Sequence, residues 1–459
     1  MSDPNAFTMR EKWNKKALFR LLWPLVVEQT LAVTIGAVDT VMMSSVGEYA
    51  VSGVSLVDAI ATLLIIAFGA LATGGSVVIS QYIGRRDSKN ATAASRQLIY
   101  TTVFVSLIIM IFTLILRTRL LKLIYGNIAG DVMQAADTYF RISALGYPFL
   151  SLYNADAALF RSIGNSRVTM MVSILVNIIH IALNFVLIYG LHMGVAGAAV
   201  STLISRIVSA LILTVLLMRL RRGPISLAGL FRIRIVPHMI RSILKVGIPG
   251  GIEGSMFQLG KIIVSRIATS FGTAALAANA VTGVINSFTN MSGTAIGIGM
   301  LTIVGQCVGA KDYDSAKYFT RRLMWLIVGV VTILSAVIAL FIDPLLGIFR
   351  LSQEAHDMAK QFTWLLCAAS PLLWSLSFSL PNALRAAGDA GYCMVAAVIS
   401  MWLVRVIGAY LIAYVFHVGV MGIWIAMVAD WVVRGICYAQ RWKGGKWQTK
   451  QVITDTENV

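Results

Sequence analysis

SQYIGRRDSKNATAASRQ (80–97) and GQCVGAKDYDSAKYFTRR (305–322) carry one pattern twice. Each reads Gln, two residues, Gly, two residues, then Asp, and each runs through small and polar residues to Arg. The two glutamines, Gln81 and Gln306, stand 225 positions apart. The offset recurs along the chain. Pro24 and Glu28 in WPLVVEQ (23–29) match Pro249 and Glu253 in IPGGIEG (248–254), Gly47 matches Gly272, and Gly74 matches Gly299. LFRSIGNS (159–166) answers ALRAAGDA (383–390) at 224, and GVAG (194–197) answers GVMG (419–422) at 225. A solenoid unit is far shorter than this period. Half of the chain is duplicated.

What is duplicated follows from composition. Of 459 residues, 58% are hydrophobic and 13% charged, where a soluble domain carries about 25% charged residues. LIYTTVFVSLIIMIFTLIL (98–116) and FTWLLCAASPLLWSLSFSL (362–380) can each cross a hydrocarbon core of about 30 Å as a helix. They are too long and continuous for barrel strands. Hydropathy places twelve spans near 18–44, 54–83, 97–116, 136–159, 168–190, 195–218, 242–266, 275–308, 323–343, 361–382, 392–415 and 421–440. The expected fold is an all-α polytopic membrane protein, with about 12 transmembrane helices in two homologous six-helix lobes around a central cavity. An even number of spans per copy gives both copies one orientation, a parallel repeat about an axis along the membrane normal.

The formal charge of +18 would suit nucleic acid if it were clustered on one face. Instead it follows the topology. With the N-terminus inside, 27 Lys and Arg fall in inner segments and 5 in outer ones, namely Arg117, Arg119, Lys122, Arg350 and Lys360. This is the positive-inside pattern, with both termini cytoplasmic in a cell (inner or plasma) membrane. The expected organisation is a cytoplasmic N-terminal segment (1–17), an N-lobe (18–218), a cytoplasmic linker (219–241), a C-lobe (242–440) and a cytoplasmic tail (441–459). The polar, basic start reads as a retained helix rather than a signal peptide. The four cysteines sit in or beside spans without CxxC spacing, against a disulfide framework or zinc site. The repeated Gln-Gly-Asp stretches become equivalent cytoplasmic loops, where Gly ends one helix and Asp caps the next.

The doubled Q-x-x-G-x-x-D, the RSIGNSR and RAAGDA loops, and ALAANAV (275–281) together resemble the multidrug and toxic compound extrusion (MATE) family over nearly the whole chain. Each motif is short, and their order and doubled spacing carry the specificity. The resemblance implies a V-shaped pair of lobes that exports organic, often cationic, compounds in exchange for Na⁺ or H⁺.

Ionisable groups at bilayer depth are costly and usually face a cavity or a partner. Asp39 lies in the outer half of the first span. Glu28 lies eleven residues earlier, about three turns and 20° away on the same side. In NIIHIALNFVLIYG (177–190), Asn177, His180 and Asn184 share one helical face, and in the sixth span Thr202 and Arg206 do. A carboxylate among amide and hydroxyl oxygens suits a hard cation, whereas a carboxylate beside an imidazole suits a proton. By the resemblance, Asp39 fits the first-span Asp of the coupling site, Asn184 fits the second member of the fifth-span Asn-x-x-x-Asn/Asp pair, six residues before Gly190, and Thr202 fits a hydroxyl ligand. His180 stands where the family often has Asn, which weakens Na⁺, at Asp39, and favours H⁺. The rival reading makes His180 a hydrogen-bonding residue between packed helices.

In the second lobe Glu253, Lys261 and Arg405 are candidates for a substrate or polar site, with Glu28 in the first. The family's seventh-span acid would fall near Phe257 or Gln258, so Glu253 departs from that pattern. Glu253 could bind a cationic substrate or neutralise Lys261 or Arg405, and Asp430 is expected to pair with Arg434 or Arg405. Met and aromatic residues could line an adaptable cavity. No Walker loop, GxSxG or HExxH appears, so the chain is read as no enzyme. Small-molecule substrates and the lipid bilayer are its expected partners, with no nucleic acid, no cofactor beyond H⁺ or Na⁺, and a monomeric state. A lipid-intermediate flippase of the related superfamily is the alternative, and a non-coupled channel or scaffold a weaker one.

Overall fold

The computed structural model describes residues 8–126, 129–220, 223–450 and 452–453, so part of the two expected terminal segments, and Arg221 and Arg222 of the linker, lie outside the described residues. Among the described residues there are only helices, turns and irregular connections. The first half contains α1 (Lys15–Ser44), α2 (Glu48–Gly84), α3 (Ser88–Tyr125), α4 (Gly130–Leu145), α5 (Tyr147–Ser162), α6 (Ser166–Gly190) and α7 (Gly194–Arg219). The second contains α8 (Pro237–Thr269), α9 (Thr273–Gly309), α10 (Tyr313–Leu340), α11 (Ile342–Gly347), α12 (Gln353–Ala386), α13 (Ala390–Val415) and α14 (Met421–Lys443).

Ten of these helices are long and apolar enough to cross a membrane. The other two expected spans are present in other forms. The fourth is broken at Gly146 into α4 and α5, of 16 residues each, where Pro148 contributes no N–H to the helical ladder. The seventh, α8, contains Pro249 and the charged residues Glu253, Lys261 and Arg266. At 37 residues, α2 and α9 are about 55 Å long, well beyond the bilayer core. Each anchors its half: α2 packs on α3, α4 and α5, and α9 packs on α10 and α12.

The duplicated loops adopt one geometry. α2 ends at Gly84 and α9 at Gly309, yet the left-handed residue is Arg86 (φ 62°) in one loop and Lys311 (φ 57°) in the other. Asp87 N–H bonds Tyr82 O at 3.0 Å and Arg86 N–H bonds Ile83 O at 3.1 Å. Asp312 N–H to Cys307 O and Lys311 N–H to Val308 O, both 2.9 Å, repeat them. These are Schellman caps. Asp87 Oδ1 then accepts from Asn90 N and Asp312 Oδ1 from Ser315 N, each at 3.0 Å, which starts the next helix. The repeat reaches contacts far apart in sequence. Ser45 hydrogen-bonds Tyr189 at 2.9 Å, and Ser270 hydrogen-bonds Tyr414 225 positions on.

The chain separates into two compact units, one of them Ala17–Gly251 and the other joining the residues up to Lys16 to Ile252 onward. The division falls inside α8 rather than in the linker. The linker is stitched to α3: Gln97 Nε2 donates to Arg234 O at 2.7 Å, Val236 N–H to Gln97 Oε1 at 3.1 Å, and Tyr100 Oη to Leu230 O at 2.5 Å. The N-terminal segment goes with the second unit, where the Arg10 guanidinium lies 4.7 Å from the Tyr318 ring centroid.

Candidate functional site

The first lobe holds Asp39 between two side chains of α6. His180 Nε2 lies 2.9 Å from Asp39 Oδ1 and 3.1 Å from Oδ2, and Asn184 Nδ2 donates to Oδ1 at 2.9 Å. His180 and Asn184 are a helical turn apart on one face, so they can grip one carboxylate together. α7 supports both from behind. Ser201 Oγ bonds Asn184 Oδ1, and Ser205 Oγ lies 3.4 Å from His180 Nδ1. His180 is 7% and Asn184 2% exposed, whereas the Asp39 side chain keeps 39%. The carboxylate is thus anchored on one edge and open on the other.

Packing sets this depth. Met42 and Met43 of α1, Ala50 of α2, Ala135 of α4, Ile188 of α6, and Val195 and Ala198 of α7 form one cluster, with small residues letting the helices approach closely. Just past Asn184, Phe185–Gly190 widens to π-helical geometry, a local irregularity frequent at functional sites.

Asp39 opens onto a cavity of about 460 Å³ inside the lobe. Asn177, His180 and Thr202 line it, as do Tyr139, Tyr153 and Arg206. Thr202 Oγ1 itself donates to Ala198 O at 2.9 Å. A smaller space beside it, of about 120 Å³, is also lined by Asp39, Asn184 and Thr202. Asp58 lines both spaces. It sits beside the Tyr139 hydroxyl and within electrostatic reach of Arg206 and Asp39. The sequence reading missed Asp58 and Tyr139. Asp58 carried a usable signal, a lone acid in the apolar run GVSLVDAIATLL (53–64). Asp156 was also missed. It is fully buried on α5 and accepts from Thr214 Oγ1 at 2.5 Å.

Other expected candidates lie elsewhere. Glu28 is outside the cavity lining: Arg161 Nη2 donates to it at 2.7 Å and Thr169 Oγ1 at 3.1 Å. Glu253 repeats this arrangement, with Arg385 Nη2 at 2.6 Å. Its partner is therefore Arg385, in the last turn of α12, and the alternatives Lys261 and Arg405 are not needed to neutralise it. Arg405 Nη1 lies 4.0 Å and Arg434 Nε 3.5 Å from the two oxygens of Asp430. Gln258 is half-buried and Lys261 exposed on α8. Among the described residues no three His, Cys, Asp or Glu side chains group closely enough to hold a metal ion.

Comparison with known proteins gives the same partition of the chain. The family model MatE matches twice, over residues 24–186 and 249–411, the two matches again offset by 225. The "Uncharacterized transporter YisQ" of Bacillus subtilis (strain 168) is 32% identical over 442 residues, covering 95% of each chain. The "Probable multidrug resistance protein NorM" of Thermotoga maritima is 28% identical over 458 residues, covering 96% of this chain and 94% of that one. Among solved structures, the outward-facing conformation of a multidrug resistance MATE family transporter of the MOP superfamily has a TM-score of 0.88 at 19% identity, covering 95% and 97% of the two chains. Its likeness bears on the fold. With a duplicated family match over most of its length and a relative sharing a third of its residues, the chain belongs to the MatE family of multidrug transporters.

Proposed function

We propose that this transporter exports small organic compounds, cationic ones among them, by antiport with H⁺, and that Asp39 with His180 and Asn184 is the coupling site. The observation that carries the reading is the double grip on one half-open carboxylate. A hard cation such as Na⁺ wants a shell of oxygens, but among the described residues the two groups within hydrogen-bond distance of Asp39 present nitrogen. A neutral imidazole with its proton on Nε2 donates to Asp39 and leaves Nδ1 to accept from Ser205. A proton taken up by the Asp39 carboxylate removes the pair's net negative charge and weakens the tie between α1 and α6, because a neutral acid accepts a hydrogen bond less strongly than a carboxylate. Occupancy of the pair then biases two arrangements of the lobe, which is what alternating access requires. In this reading both termini are cytoplasmic and the functional unit is a monomer.

The test is substrate efflux from proteoliposomes under an imposed H⁺ or Na⁺ gradient, one at a time. Asp39→Asn imitates the permanently protonated site, and is expected to abolish gradient-driven efflux while the protein still inserts. His180→Asn supplies an amide oxygen and is expected to move the dependence from pH toward Na⁺. An Asp39→Asn protein that pumps at the normal rate removes this carboxylate from the mechanism.

A further inference from the structure

In the first lobe the fifth and sixth spans meet at His180 and Ser205. The residues 225 positions on are Arg405 and Asp430, and these meet in the second lobe, Nη1 to Oδ2 at 4.0 Å. Ser209, which lines the first-lobe cavity, corresponds to Arg434, whose Nε lies 3.5 Å from Asp430 Oδ1. The same framework positions thus hold imidazole and hydroxyls in one lobe, and two guanidiniums with a carboxylate in the other.

The charges in this cluster do not balance. The Asp430 side chain is fully buried, Arg434 is 2% exposed and Arg405 10%. Guanidinium keeps its proton in a protein, so one carboxylate faces two fixed cations. Among the other acids of this lobe's helices, Glu253 is engaged by Arg385 and Asp389 by Arg441, each at 2.6 Å, and Asp343 by Lys360 at 2.7 Å, while Asp312, Asp314, Glu354 and Asp357 stand at the starts of α10 and α12, away from the cluster in mid-span. Lys261, exposed on α8, only adds positive charge. Ser400 Oγ, which donates to Asp430 Oδ1 at 2.6 Å, contributes none. A buried, uncompensated charge is strongly unfavourable.

Aromatic rings supply part of the answer. The Arg434 guanidinium carbon lies 4.3 Å from the Phe378 centroid and 5.5 Å from that of Phe257, and that of Arg405 lies 5.3 Å from Phe257. Stacking engages the faces of a guanidinium and leaves its in-plane N–H groups available. Arg405 Nε and Arg434 Nη2 are buried and make no hydrogen bond among the described residues; Arg434 Nε, though 3.5 Å from Asp430 Oδ1, makes none either, and Asp430 Oδ2 is likewise unbonded.

We propose that Arg405 and Arg434, set around Asp430, form a binding site for one small monovalent anion, either a halide or a carboxylate no bulkier than acetate. A single surplus charge calls for a monovalent group. The free donors are of the kind that holds carboxylate or halide, and the burial of the cluster excludes a bulky anion. The site stands on residues outside the Asp39 cluster, so it does not depend on the coupling ion.

The test uses the purified full-length protein in lipid nanodiscs. Thermal unfolding is followed while sodium gluconate is replaced by sodium chloride or sodium acetate, at constant sodium and ionic strength. The expected result is a saturable rise in Tm, about 5 °C at a hundredfold excess over the midpoint. Arg434→Met and, as a second route, Arg405→Gln leave one cation for one carboxylate and should abolish the rise. Saturation by chloride alone assigns a halide, and saturation by acetate at equal or lower concentration assigns a carboxylate. No saturable rise with either salt in the unmodified protein overturns the proposal, as does an undiminished rise in whichever balanced variant folds.

Discussion

Two ion pairs of equal length should differ severalfold in what they contribute. Glu28–Arg161 and Asp343–Lys360 both close at 2.7 Å. The first has side chains 8% and 18% exposed, the second 56% and 39%. Removing one partner of a buried pair costs about 3–5 kcal/mol, because the other charge is left without compensation. An exposed pair is worth about 0.2–1 kcal/mol. Glu28→Ala strands Arg161 and also takes an acceptor from Thr169 Oγ1, so about 3 kcal/mol is a lower expectation. For a unit of this size that corresponds to a fall in Tm of about 6–12 °C, against about 3 °C or less for Lys360→Ala. Glu28→Gln with Arg161→Met removes both charges and should recover most of the loss. Glu253–Arg385, at 2.6 Å with side chains 13% and 16% exposed, should behave like Glu28–Arg161. The assay is thermal unfolding of purified protein followed by tryptophan fluorescence and size-exclusion recovery. Glu28→Ala and Lys360→Ala proteins melting together would refute the claim that burial, not distance, sets the strength of these pairs.

Two further outcomes are expected. A Cβ at Gly74 would meet Ile243 O at 2.4 Å and Gly247 N at 2.9 Å, both backbone atoms of α8, whereas one at Gly260 would meet the flexible end of Met401 at 2.2 Å. Gly74→Ala should therefore lower Tm by several degrees, about 1–3 kcal/mol of overpacking, and Gly260→Ala much less; equal melting of the two would count against the close α2–α8 approach. Single cysteines at Ser88 and Asp314, both exposed, in a background lacking the four native cysteines, should react with an impermeant thiol reagent only after the membrane is opened. Ser315 is 2% exposed and would be a poor reporter. Labelling of either position from outside intact cells would contradict a parallel repeat with both loops inside.

The sequence alone determined whatever depends on neighbours along the chain or on the offset of 225. Spans follow from runs of apolar residues, since backbone in lipid must pair within its own helix. The Asp87 and Asp312 caps follow from an Asp three residues ahead of a free N–H. The face shared by His180 and Asn184 follows from 3.6 residues per turn, and the Asp39 partnership was reachable because a lone acid and a lone imidazole stand at similar depth. Tertiary structure decided what depends on how helices rotate and slide against one another. Glu253 had two basic residues, Lys261 and Arg405, within the reach of a sequence argument, and only the packing of α8 against the end of α12 selected Arg385, 132 positions away. Asp58 joined Asp39 because α1, α2 and α7 leave a common space between them. The division of the chain inside α8 was equally invisible, because the first part of α8, Ile243 to Gly251, lies against Ala70, Leu71 and Gly74 of α2. Periodicity fixes which face of a helix a residue occupies. The depth and angle at which that face meets another are set by side chains on both helices at once, and no single stretch of sequence contains them.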